Sequence, residues 1–283
     1  METNNPVLVR MEKEARQNGG YASFGAASTT TTAPVDAAAL QQTYGVTAPS
    51  TAVPTQSPMT ITDVVAKTAV MFLLVFGFAY GAWQLQIPTG VMLIAALIGF
   101  GLGMWGALSK SVRPLLFLAY SAVQGVFLGG ISYWYTQYAA IGKPLGEEPN
   151  IVAQAVIGTF AAFAAMLFLY TTRIIKVTGT FKKAMMIAML AYLGIAVMSL
   201  FASFFGVGEG FGFYGVEGIG LLLCVAGVGL ASFSLALDFD AIETAVAAGV
   251  PERESWRAAF GLMVTLIWLY LELLRLLAIM NRS

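Results

Sequence analysis

Seven apolar runs of roughly 20 residues each constrain the fold of this chain more than any other feature. They cover about residues 63–83, 90–108, 114–139, 151–172, 183–205, 218–241 and 256–280. One helix of that length crosses the ~30 Å hydrocarbon core of a bilayer. Charged residues make up only 11% of the chain, against about 25% in ordinary soluble domains. The sequence therefore predicts an all-α, polytopic membrane protein, a seven-transmembrane-helix bundle.

The segment before the first run has a different composition. Residues 26–58 are mostly Ala, Thr, Ser and Pro without an apolar period, and such a segment buries too little surface to offset the entropy of ordering. We predict a disordered cytoplasmic tail over residues 1–57 and a transmembrane domain over residues 58–283. No apolar h-region opens the chain, so a cleavable signal peptide is not expected.

The Lys and Arg residues near the ends of the predicted helices indicate the orientation of the bundle. If the N-terminus is cytoplasmic, the inner side carries Arg10, Lys13, Arg16, Lys67, Lys110, Arg113, Arg173, Lys176, Lys182, Lys183, Arg253 and Arg257, and the outer side carries Lys143 and Arg282. Positive residues favour the cytoplasmic side of a membrane protein. We therefore predict that the N-terminus is inside.

Several classes of function are excluded by what the chain lacks. It has no histidine, which removes Ser-His-Asp triads and His-ligated zinc or haem sites. Its one cysteine, Cys224, cannot form an intrachain disulfide. P-loop, HExxH and GxSxG motifs are also missing, so we expect neither enzymatic activity nor a cofactor. The formal net charge is zero, which gives no reason to expect a nucleic-acid partner.

Two acidic residues lie where hydrocarbon is expected: Asp238 closes the sixth run and Glu272 lies inside the seventh. An ionised carboxylate in a bilayer core is costly and usually marks a functional position. A short hairpin joins the two runs, so their helices should be antiparallel neighbours that could bring Asp238 and Glu272 together. Such a pair would share a proton and respond to pH. Its oxygens would also suit Ca²⁺, with which protons would compete.

Other charged residues have candidate roles around this pair. An alternative partner for Glu272 is Arg275, three residues further along the same helix. The accessory acids are Asp240 and Glu243, which share a face near the cytoplasmic end and could equally meet water or the basic loops. Asp238 and Asp240, two residues apart, should point to nearly opposite sides of the helix.

Basic residues could latch Asp238 in a closed state. Lys110 and Arg113 lie at the cytoplasmic ends of the second and third helices, on the side where the sixth helix ends. The alternative is that these two residues only mark the topology of the chain.

These residues and their neighbours resemble the Bax inhibitor-1 family, the transmembrane Bax-inhibitor-motif proteins, in a bacterial, actinobacterial branch with an N-terminal extension. Four stretches carry the resemblance: PLLFLAYSAVQGVFLGGIS (114–132), IVAQAVIGTFAAFAAMLFLYTTR (151–173), LALDFDAIE (235–243) and LIWLYLELLRLLAIM (266–280).

The resemblance implies that Asp238 and Glu272 are the proton-sensing acids that govern a Ca²⁺ leak in this family. Glu272 stands where the family has aspartate, which adds one methylene. Gln124 stands where many relatives have glutamate, so any role of that acid is lost here. Arg282 resembles a late arginine of the last helix and is a further candidate latch.

From the residues and the resemblance together we expect a pH-sensitive Ca²⁺ leak channel or Ca²⁺/H⁺ exchanger. It would be a multi-pass protein of the plasma (inner) membrane of a bacterium. Its partners would be the lipid bilayer, Ca²⁺ and protons. The alternative is a non-conducting regulator that binds and modulates a protease or another membrane protein.

Overall fold

The predicted bundle of helices is confirmed in a computed structural model that describes residues 57–141, 144, 150–210, 212–216 and 218–282. In these ranges seven helices are long and apolar enough to cross a membrane. They are α1 (Ile61–Gln84), α2 (Thr89–Leu108), α3 (Pro114–Ala139), α4 (Ile151–Thr171), α5 (Gly179–Phe204), α6 (Ile219–Ala247) and α7 (Ser255–Arg282). The predicted tail lies outside the described residues except for residue 57, and the domain boundary stays a prediction.

Local signals at the helix ends explain where each helix begins and stops. The Thr60 side chain accepts a hydrogen bond from the Asp63 amide, and the Asp63 side chain accepts one from the Thr60 amide, which is a capping box for α1. Pro114 occupies the first turn of α3, where its missing N–H costs nothing. Helix α6 runs to Ala247, past the predicted end near 241, because polar residues end the apolar run but not the helix. Gly249, with φ of 65°, ends it.

Helix α7 is at the centre of the bundle and packs against α1, α3, α4 and α6. Helices α1 and α3 approach closely because glycine faces the contact. A Cβ atom on Gly125 would lie 2.8 Å from the Cβ of Phe78, and one on Gly129 would lie 2.8 Å from the Cβ of Ala82. Small residues that allow such close packing stabilise helix pairs in membranes, where the hydrophobic effect contributes little.

Helix α5 is packed much more loosely than α7. Its buried residues are Met185 and Ser199, and it contacts α6 and the two short 3₁₀ turns Val207–Gly210 and Gly212–Gly215. This loose packing leaves space between α5 and the hairpin of α6 and α7, and the space contains the site described below.

The bundle has two distinct ends. We call the end with residues 109–113, 172–178 and 248–254 the near end, and the end with residues 205–210, 212–216 and 218 the far end. At the near end, the chain just before α1 pairs with the α6–α7 turn: the Met59 amide donates to the Val250 carbonyl over 2.8 Å.

Candidate functional site

Asp238 lies on the face of α6 that packs against α7. The Thr265 hydroxyl on α7 is within hydrogen-bonding reach of its carboxylate. The Oδ2 atom is buried and accepts no hydrogen bond from any described residue. None of the ion pairs formed within the described ranges includes Asp238. One oxygen of this carboxylate therefore lacks the donor that a buried charge requires.

Glu272 on α7 has the opposite surroundings. Its side chain is 4% exposed, and its Oε2 atom lies 3.3 Å from Nη1 of Arg275. Its Oε1 atom accepts hydrogen bonds from the Tyr192 hydroxyl at 2.8 Å and from Nε1 of Trp268 at 3.1 Å. The carboxylate thus has both a countercharge and two neutral donors. Glu272 therefore forms the i,i+3 ion pair with Arg275 that the sequence offered as an alternative to a contact with Asp238.

Arg275 extends this arrangement into a cluster with three tyrosines. Its guanidinium carbon lies 4.3 Å from the centre of the Tyr214 ring, a cation–π contact. Its Nε donates to the Tyr135 hydroxyl over 3.3 Å. The Tyr214 hydroxyl donates over 3.0 Å to that of Tyr192, which itself donates to Glu272. We call Glu272, Arg275, Trp268, Tyr135, Tyr192 and Tyr214 the ion-pair cluster.

A glycine on α6 makes room for this cluster. A Cβ atom on Gly227 would lie 2.8 Å from Cδ and Oε2 of Glu272 and closer still to the Tyr192 hydroxyl. No side chain beyond glycine fits there without displacing the carboxylate or the tyrosine. The absence of a side chain on α6 therefore positions Glu272 as much as its hydrogen-bond donors do.

The structure does not bring Asp238 and Glu272 together. Asp238 lies beside Thr265, and Glu272 is seven residues further along α7, about 10 Å away along the helix axis. Two oxygens that bind one Ca²⁺ each lie about 2.3–2.6 Å from it, so these carboxylates do not share an ion in this conformation. The described residues also contain no group of three or more His, Cys, Asp or Glu that could hold a metal ion.

The accessory acids each pair with a base at the near end. Asp240 lies 2.6 Å from Nζ of Lys182, in the first turn of α5. Glu243 lies 2.8 Å from Nη2 of Arg173 and accepts a hydrogen bond from the Tyr170 hydroxyl. Asp240 thus points to α5 while Asp238 points to α7, as their spacing on α6 predicts. Glu243 therefore meets the segment between α4 and α5, and Asp240 meets the start of α5.

The candidate latches are not next to Asp238. The guanidinium of Arg113 stacks over the Trp105 ring at 5.6 Å, and the Lys110 carbonyl accepts a hydrogen bond from Arg257. Arg275 binds Glu272, and the side chain of Arg282 lies outside the described part of the chain. A latch between Asp238 and Lys110 or Arg113 is not formed in this conformation and stays a prediction.

A cavity of about 830 Å³ lies between α5 and the α6–α7 hairpin. Lys182 lines it towards the near end, and Glu272, Arg275 and Tyr214 line it towards the far end. From Lys182 to Ser199 the cavity follows α5 for about 25 Å, which is most of the ~30 Å hydrocarbon core. Most of the remaining wall is apolar. The cavity is therefore an elongated space within the membrane, with Lys182 near one end and the Glu272–Arg275 pair about 15 Å further along α5, at the level of Tyr192.

Sequence reasoning identified Glu272 and Arg275 but none of the aromatic members of the ion-pair cluster, which are Trp268, Tyr135, Tyr192 and Tyr214. Trp268 and Arg275 lie four residues before and three residues after Glu272, so helical spacing alone places them on its face. Tyr192 and Tyr214 come from α5 and from the turn before α6, and no periodicity marks them. Their roles depend on how α5 packs, which the sequence does not specify.

Comparison with known proteins gives one family. Residues 5–282 match the family model described as Bax inhibitor 1 like. A search of curated proteins found no match. The matched range includes all seven membrane helices, Asp238 and the whole ion-pair cluster. The chain belongs to the Bax inhibitor 1-like family of membrane proteins.

Proposed function

We propose that this protein is a pH-sensitive pathway for Ca²⁺, a leak channel or Ca²⁺/H⁺ exchanger. The membrane would be the plasma (inner) membrane of a bacterium, with the N-terminus in the cytoplasm. Asp238 and Glu272 would act at two separate levels of the α6–α7 hairpin rather than as one touching pair. The observation that supports this proposal is the buried Asp238 Oδ2 atom, which accepts no hydrogen bond from the described residues.

Protonation of Asp238 would control how tightly α6 packs on α7. A neutral carboxyl group is tolerated at this interface, whereas a charged one without donors is costly. Loss of the proton would therefore favour a conformation in which water or a cation reaches the carboxylate between the helices. In this mechanism the pathway opens as the pH rises and closes as it falls. A two-state helix pair biased by one charge is a known type of switch.

The ion-pair cluster would control the other level of the pathway. A cation that moves along the cavity beside α5 meets Arg275, whose charge is balanced by Glu272 over 3.3 Å. Removal of the carboxylate leaves an unbalanced positive charge that repels Ca²⁺. Neutralisation of Arg275 leaves a carboxylate that attracts Ca²⁺. Opposite effects on flux from the two neutral variants would distinguish a gate from a purely structural ion pair.

The test is Ca²⁺ uptake into proteoliposomes of the purified chain over a range of pH. We expect the Ca²⁺ flux of the wild type to increase with pH. The flux of Asp238→Asn should stay, at every pH, at the value that the wild type has at low pH. The matched control is Asp240→Asn, two residues away on the same helix, whose partner is Lys182 at the near end. That variant should keep the pH dependence.

Two results would overturn the proposal. Wild-type flux no greater than that of empty liposomes at every pH would contradict conduction and favour the non-conducting regulator of a protease or another membrane protein. Equal pH dependence in Asp238→Asn and the wild type would show that another group senses the proton.

A further inference from the structure

A second cavity, of about 350 Å³, lies between α1, α3, α4 and α7. It shares no lining residue with the cavity beside α5. Its size is within the range of about 300–1,000 Å³ that is typical of small-molecule sites. The ion-pair cluster does not use it, and it therefore needs its own explanation.

Aromatic rings line the side of this cavity that faces the surrounding lipid. Phe76 of α1 and Phe160 of α4 both line it, and their nearly parallel rings lie 6.2 Å apart between centroids. Phe76 is 42% exposed and Phe160 is 49% exposed on the outside of the bundle. An exposed side chain in the middle of a membrane helix faces lipid tails. The cavity is therefore accessible sideways from the bilayer between α1 and α4.

The lining of the cavity is mainly apolar and has no charged side chain among the residues that the structure describes. Its inner wall has three hydroxyl groups, which already donate within the protein or to one another. Thr159 donates to the carbonyl of Ala155 over 2.7 Å, and the hydroxyl oxygens of Ser132 and Tyr270 lie 2.6 Å apart. A ligand with a charged group inside this cavity would find no countercharge. None of these three hydroxyl groups needs a ligand as its hydrogen-bond partner.

The length of the cavity matches one leaflet of a bilayer. From Phe72 to Gln84, both of which line it, α1 rises about 18 Å. Half of the ~30 Å hydrocarbon core is about 15 Å. Towards the far end the cavity is lined by Trp83, Tyr80 and Gln84. The Gln84 amide donates to the Tyr80 hydroxyl over 2.7 Å. Trp and Tyr are enriched at the depth of lipid headgroups.

We propose that this cavity binds one acyl chain of a membrane lipid with an uncharged headgroup. The acyl chain enters between α1 and α4, and its methyl end lies near Phe72. The headgroup of the lipid contacts Gln84 and Tyr80 at the far end. The buried acyl chain contacts α7 as well as α1 and α4, because Leu266, Ile267 and Tyr270 of α7 line the cavity. It therefore links these three helices. This inference does not depend on ion conduction.

The test is native mass spectrometry of the delipidated full chain titrated with a monoacylglycerol, together with its thermal unfolding. We expect one retained lipid per chain and a Tm that rises and saturates with lipid concentration. Val156→Phe fills the cavity from α4, and we expect retention to fall at least tenfold and the rise in Tm to disappear. The matched control is Ile157→Phe, whose side chain is 69% exposed to lipid, and it should behave as the wild type.

A second filling variant, Val152→Phe, keeps the test decisive if Val156→Phe does not fold. Equal retention in wild type, Val156→Phe and Ile157→Phe would show nonspecific lipid attachment and would overturn the proposal. A lysophospholipid with a net negative charge is the headgroup comparison. Tighter retention of that anionic lipid than of the monoacylglycerol would contradict the uncharged headgroup that the lining predicts.

Discussion

Asp238 and Glu272 lie on the two helices of one hairpin, and their carboxylates have opposite surroundings. Glu272 has an Arg275 countercharge, two further donors and a glycine on α6 that makes room for it. Asp238 has a buried oxygen that accepts nothing from the described residues. A fully satisfied buried charge fixes one conformation, whereas an unsatisfied one destabilises it. The hairpin therefore contains one acid suited to holding structure and one suited to responding to protons.

The largest expected effect comes from breaking the satisfied pair. Arg275→Met should destabilise the bundle by about 3 kcal/mol, because Glu272 keeps a buried charge without a countercharge. The Arg275 side chain is 26% exposed, so solvent screening reduces this effect only partly. Thermal unfolding in detergent measures it. The double variant Arg275→Met with Glu272→Met should regain most of the lost stability, and strictly additive losses would contradict the comparison.

The space beside Glu272 should matter almost as much as its donors. Gly227→Ala puts a methyl group 2.8 Å from the Glu272 carboxyl carbon, and we expect a loss of about 1–3 kcal/mol from overpacking. Gly229→Ala is the matched control, since nothing lies within 4 Å of its new Cβ atom. The same unfolding measurement compares the two variants. Equal stability would show that the cluster relaxes freely around a larger residue.

Neutralisation of Asp238 should change the stability of the protein in the opposite direction to neutralisation of Glu272. Asp238→Asn removes a buried charge whose Oδ2 atom has no donor, so at pH 8 the variant should be more stable than the wild type by about 1 kcal/mol. At low pH the wild-type carboxyl is also neutral, and the difference should shrink. Unfolding at the two pH values measures this change, with Glu272→Gln as the comparison that loses stability. A loss of stability in Asp238→Asn at pH 8 would mean that its carboxylate has donors in solution.

This contrast explains how much of the site could be predicted from sequence. The seven apolar runs fix the number of helices, and the spacing of Trp268, Glu272 and Arg275 gives one side of the cluster. Helix α6 is apolar on all sides, so its pattern does not show which face meets α7. The surroundings of Asp238 depend on how α6 is rotated about its own axis relative to α7. Tyr192 and Tyr214 depend in the same way on the packing of α5, which few buried residues specify.

The smallest expected effect concerns the near-end pair of Lys182 and Asp240. Their side chains lie 2.6 Å apart, but Lys182 is exposed and its charge is screened by solvent. A double-mutant cycle with Lys182→Met and Asp240→Asn should give a coupling of about 0.5 kcal/mol or less. The cycle for Arg275 and Glu272 should give a coupling several times larger, because that pair is desolvated. Similar coupling energies in the two cycles would mean that water reaches the ion-pair cluster as readily as it reaches Lys182 and Asp240. Glu272 would then be as open to protons and cations as Asp240, and the division of roles between the two levels of the hairpin would fail.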